Sequence, residues 1–93
     1  MTISKEQQEK YLSRRAEDLA QSFTAEESKD ADTLRRIGHK MKGSGLTFGF
    51  EDIGNIGRQM EEAANAQDWA KIHTLLIQFR DLLKVYTAEN QVQ

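Results

Sequence analysis

The sequence predicts an all-α protein, folded as an up-down-up-down antiparallel four-helix bundle. Three observations carry this. Apolar residues recur at three- and four-residue spacing in four separate segments, which marks one buried stripe per helix. Proline is absent, so nothing breaks those segments from within. Neither β-branched alternation nor an Asn-Gly hairpin signal supports a sheet. With 93 residues the chain, 1–93, reads as a single domain with a modest core, and short links favour antiparallel neighbours.

The first helix covers about residues 4–23. Ser4 can cap its start, with Gln7 and Gln8 placed for the reciprocal bond of a capping box. Tyr11, Leu12, Ala16, Leu19, Ala20 and Phe23 share the core side, while Lys10, Arg14, Arg15 and Asp18 lie mostly away from it. Thr24 to Asp32 is a polar, acidic link in which Thr24 and Glu27 can cap one extra turn. The second helix, about 31–46, starts after Asp30 or Asp32, either of which can accept from first-turn amides. Gly43, Gly45 and Gly49 crowd its far end and predict a stop between Gly45 and Phe48.

The third helix, about 50–65, buries Ile53, Ile56, Met60 and Ala64 and carries Glu51 and Asp52 in its first turn. Its interior glycines, Gly54 and Gly57, share a flank with Glu61, so another helix, taken to be the second, can pack closely there. The fourth helix, about 68–87, starts at the N-cap Asp68 after the Asn65-Ala66-Gln67 turn. Trp69, Ile72, Leu75, Leu76, Phe79, Leu82, Leu83 and Tyr86 form the most apolar stripe in the chain. The tail 88–93 reads as frayed.

Within this frame His39 stands out. Leu34, Ile37, Met41 and Gly45 set the buried side of the second helix. At about 100° per residue, His39 falls roughly 150° from the centre of that stripe and faces solvent. One turn on, the same face carries Lys42 and Gly43. Glycine inside a helix costs about 1 kcal/mol relative to alanine. What it offers is a clear approach to the imidazole, with an ammonium in reach. That combination suits a transferable anion such as a phosphoryl group. Glu61, facing from the third helix, is placed to accept from the ring Nδ1–H and leave Nε2 bare. An imidazole in water has a pKa of about 6.5, so near pH 7 most of it is the neutral nucleophile.

The run His39-x-x-Lys42-Gly43, followed by Gly49 and Phe50, resembles the histidine-containing phosphotransfer (HPt) domain of two-component phosphorelays. Length and helix order agree over nearly the whole chain. Leu46-Thr47-Phe48-Gly49-Phe50 is also similar to the phosphotransfer domain of chemotaxis histidine kinases, which have a glutamate at the position matching Glu61. The resemblance implies a phosphorelay intermediate that accepts a phosphoryl group on His39 from a receiver-domain aspartyl phosphate and passes it to another. It implies a carrier, not an enzyme, with no cofactor of its own and with magnesium on the partner receiver. Partners would be response-regulator receiver domains and a hybrid histidine kinase. The docking surface would lie on the second and third helices, with Gly43, Ser44 and Leu46 near its centre and Arg35 and Arg36 flanking it. Gly49 would turn the chain.

Other classes fit less well. At a net charge of −2 there is no basic field for nucleic acid. No apolar run is long enough to span a membrane, and a signal-peptide block is missing, so a cytoplasmic protein is expected. Zero cysteine removes disulfides and thiolate catalysis, and His39, Glu61 and His73 lack zinc-ligand spacing. His73 borders the fourth stripe and reads as a boundary histidine. Three alternatives remain: a chemotaxis-type domain phosphorylated by ATP on a separate kinase domain, a dimerising kinase stem, and a non-catalytic helical adaptor. The stem's histidine is usually followed by an acidic residue and soon by proline, whereas Lys40 follows here, so a monomer is expected.

Overall fold

The computed structural model describes residues 3–91. Four helices follow one another: α1 (Lys5–Glu27), α2 (Ala31–Thr47), α3 (Glu51–Ala66) and α4 (Trp69–Gln91). Each packs on its sequence neighbours and α1 closes the ring on α4, with α2 against α3 the most extensive contact and α1 against α2 the least. This is the up-down-up-down bundle.

The caps follow the chemistry of the residues beside them. Ser4 and Gln7 exchange bonds at the head of α1, Oγ accepting from Gln7 N at 3.0 Å and Gln7 Oε1 from Ser4 N at 2.9 Å. Gln8 does something else, donating Nε2 to Phe48 O at 3.0 Å and bracing the α2–α3 turn. Asp30 caps α2 and Asp68 caps α4, each accepting from an amide three residues on at 3.1 Å. Gly49, with φ +85, makes the α2–α3 turn in a conformation a side chain would strain.

Two ends differ from the sequence expectation. α1 runs past Phe23 to Glu27, because Thr24 bonds back to Ala20 O at 3.3 Å as an ordinary helical residue and Ala25 is buried. α4 continues through the expected frayed stretch to Gln91, with Asn90 Nδ2 donating to Lys5 O at 3.5 Å; residues 92 and 93 of that stretch lie outside the described residues.

The core is Leu34, Ile37, Met41, Ile53, Ile56, Met60, Ile72, Leu75, Leu76, Phe79 and Leu83, with Tyr11 and Leu12 from α1. Tyr11 stacks between Phe48 and Phe50 at centroid distances of 4.6 and 5.8 Å. Tyr86 donates to Asp52 Oδ2 at 2.9 Å, and burial together with that carboxylate pushes its phenol up to about 12.

The phase of α1 is a correction. Ala16 and Ala20 are exposed, whereas Arg15, Asp18 and Ser22 are buried. Burying Arg15 and Asp18 is tolerated because they meet each other, Nε to Oδ2 at 2.8 Å. The N–H does not point along that line, so the contact is coulombic and neither atom is hydrogen-bonded. Arg15 also lies 4.6 Å over the Tyr11 ring, and Asp18 draws in Lys40 Nζ at 3.4 Å. The α1–α2 seam therefore buries charged side chains, whereas the ion pairs and polar bonds across the other three lie at their exposed edges.

Candidate functional site

The α2–α3 contact fixes the site. Gly38 and Gly57 face each other, and so do Gly45 and Gly54. A Cβ on Gly38 would stand 2.6 Å from Gly57 O and 2.7 Å from Glu61 N, and one on Gly45 would stand 2.4 Å from Gly54 N. Only bare backbone allows helices this close. The approach brings the backbone of Glu61 against α2 one residue before His39.

His39 projects outward with its side chain 68% exposed, and its Nδ1 lies 2.8 Å from Glu61 Oε2. With Nδ1–H donating to a carboxylate, the tautomer is fixed and Nε2 carries a free lone pair toward solvent. The other oxygen, Glu61 Oε1, holds Lys42 Nζ at 2.8 Å. One carboxylate thus gathers the imidazole and the ammonium. Glu61 is 20% exposed, and the Lys42 and His39 contacts hold its carboxyl below the ordinary value of 4.5. The spacing of His39 and Lys42 puts them on one face but does not reveal that Lys42 is already tied to Glu61.

Around the imidazole the remaining expected residues divide. A Cβ on Gly43 would meet nothing within 4 Å, so that side of His39 is open. Leu46, two turns along the same face, is 71% exposed. Arg35 and Arg36 are exposed but tied to Asp32, Arg35 closely and Arg36 Nε at 3.5 Å, and Arg36 also donates to Thr33 Oγ1 at 3.2 Å. Ser44 does not belong to the centre of this face. Its side chain turns to α1, with Oγ 2.8 Å from Tyr11 Oη and 3.2 Å from Arg15 Nη1.

A second imidazole repeats part of the geometry. His73 Nδ1 lies 2.8 Å from Glu26 Oε2, linking α4 to α1. It lacks the lysine and glycine one turn on, where Leu76 and Ile77 stand instead. Among the described residues, no three acidic, histidine or cysteine side chains come together to hold a metal ion.

An exposed imidazole with a fixed tautomer, a cation one turn away and an open flank is chemically suited to a transferable anion. The family model for the Hpt domain matches residues 6–88. The chain belongs to the Hpt domain family. The match takes in all four helices, and with it the chain takes the family's role as a phosphoryl carrier in phosphorelays, working with receiver domains and kinases. No curated protein and no solved structure matches it. Among the described residues, no helix of this Hpt domain is long and apolar enough to cross a membrane.

Proposed function

We propose that this Hpt domain accepts a phosphoryl group on His39 Nε2 from the aspartyl phosphate of one receiver domain and hands it to the aspartate of another. The observation that supports this most is the 2.8 Å contact of His39 Nδ1 with Glu61 on an otherwise exposed ring. In the forward step Nε2 forms the N–P bond, the acyl O–P bond breaks, and the donor aspartate leaves as a carboxylate. The ring becomes an imidazolium that keeps its Nδ1 proton, facing the ionised Glu61. Lys42 brings a second positive charge one turn away. The chemistry is mostly positioning and charge stabilisation, and any metal the aspartyl phosphate needs stays with the receiver. This chain contributes the nucleophile and the docking face.

Incubation with receivers charged by acetyl phosphate should place one acid-labile, alkali-stable phosphoryl group on the chain, mapped to His39. If no receiver of the source cell transfers label, the reading is wrong. A second reading, phosphorylation from ATP on a separate kinase domain, is favoured by Glu61 and by Phe48-Gly49-Phe50. Supplying charged receivers and ATP-loaded kinase domains one at a time separates the two.

Two variants test the parts. Glu61→Ala should slow transfer by roughly 10- to 100-fold, the rate equivalent of one charge-assisted hydrogen bond. Because the Glu61 pKa is depressed, its contribution is present above the ordinary value of 4.5 and is lost only as pH falls through the lower folded value. The transfer rate should therefore show no Glu61-dependent fall between pH 7 and about 5. Gly43→Gln should melt no lower than the parent, since glutamine is the better helix former by about 0.5 kcal/mol. It should still cut transfer from a receiver, because its side chain fills the open flank. A variant that transfers normally would show that the flank is not used.

A further inference from the structure

The two flanks of His39 differ in charge. Toward α3 stand Glu61 and Glu62, the latter held by Arg58 at 3.4 Å. Toward α1 the surface opens into a cleft of about 420 Å³, lined among others by Lys10, Tyr11, Arg14, Arg15, Lys40 and Ser44. No carboxylate lines it. On α2, Gly43 lies between the His39 line and Lys40, about 40° and 100° round the helix from His39 respectively. The cleft is thus continuous with the open side of the imidazole.

Its cations are incompletely matched. Arg14 makes no ion pair or hydrogen bond among the described residues. Lys10 has only the solvent-exposed Glu6, at 3.8 Å. Arg15 and Lys40 share the single carboxylate of Asp18. The buried Arg15 is offset by the equally buried Asp18 at 2.8 Å, so the excess positive charge at the rim is that of Lys40, Arg14 and the weakly held Lys10. In a chain of net charge −2, this is a local excess of positive charge beside the reactive ring.

We propose that this cleft receives an acidic segment of the partner protein that docks over His39, and so fixes which way round that partner lies. The proposal rests on the carrier reading above. An acidic loop or helix end laid on Lys10, Arg14 and Lys40 meets opposite charge, while the reverse orientation would set it against Glu61 and Glu62, whose charges are already balanced by Lys42 and Arg58, and would forgo that attraction. Complementarity of this kind acts mainly on association rate and orientation, and salt weakens it.

The test uses the full chain with Lys10→Glu and Arg14→Glu combined; both side chains are exposed and neither supports the core. Lys71→Glu with Lys84→Glu, on α4, makes the same change in net charge away from the cleft. Each protein is assayed with whichever receiver of the source cell transfers label to the parent fastest, at low and at high salt. Each is also labelled with phosphoramidate, a small donor that needs no docking: its P–N bond breaks, the new N–P bond forms at His39, and ammonia leaves. The expected result is a transfer rate at low salt lower by about tenfold or more for the cleft variant only. The difference should shrink at high salt, with phosphoramidate labelling equal in all three proteins. Equal transfer by the cleft variant and the parent at low salt overturns the proposal, and so does an equal fall in the α4 variant. A parent labelled by phosphoramidate but by no receiver also overturns it while leaving the reactive histidine intact. A parent labelled by neither removes the carrier reading and this proposal with it.

Discussion

His39→Gln should abolish phosphoryl transfer to the chain while leaving the fold unchanged. Glutamine carries no nucleophilic nitrogen, since its amide lone pair is delocalised, so no N–P bond of useful lifetime can form. Its NH₂ can still donate toward Glu61, which keeps the carboxylate and its Lys42 partner satisfied. The parent side chain is 68% exposed, so the stability change should stay within about 0.5 kcal/mol. Helicity and melting temperature check that half of the expectation; radiolabel from a charged receiver checks the other. The variant is also informative about His73, whose Nδ1 rests on Glu26 at the same 2.8 Å. Residual label in His39→Gln that maps to His73 would mean a carboxylate-oriented imidazole suffices by itself. No label means that the lysine and the cleared glycine flank are needed as well.

Hydrophobic periodicity made the bundle readable because three of its four seams bury no charged side chain among the described residues. It failed on α1, where the pattern put Ala16 and Ala20 inward and Arg15 and Asp18 outward. A period count weighs each residue singly and cannot see that two buried charges neutralise one another, nor that Ser22 bonds to its own helix through Asp18 O at 2.7 Å. The exposed imidazole was readable because the stripe through Leu34, Ile37 and Met41 fixed the rotation of α2. Glu61 was readable from the glycine flank, since Gly54 and Gly57 marked where α2 comes close. Ser44 was not, because its place beside Gly43 in sequence says nothing of the Tyr11 hydroxyl on another helix. Nor was the Lys42 ion pair, since an ammonium on a long stem can choose among several partners on one face.

Gly57→Ala should unsettle both the fold and the site, in contrast to substitution at Gly43. A Cβ at position 57 would stand 2.5 Å from Met41 Cβ, 2.7 Å from Gly38 O and 2.7 Å from Lys42 N. Two of those atoms are backbone, so the clash cannot be relieved by a rotamer change and α2 must move bodily. Alanine returns about 1 kcal/mol of helix propensity, against overpacking that costs about 1–3 kcal/mol and more where backbone is displaced. A net loss of about 2 kcal/mol is expected, which in a domain of this size lowers the melting temperature by roughly 10 °C. Glu61 lies one turn on from Gly57, with its own backbone N against Gly38. Parting the helices lengthens the His39–Glu61 contact, so transfer should slow toward the rate of Glu61→Ala even at temperatures where the variant is fully folded. A melting temperature at or above the parent's, with transfer unchanged, would mean that α2 and α3 can separate freely. The orientation of the imidazole would then need a support other than the glycine contact.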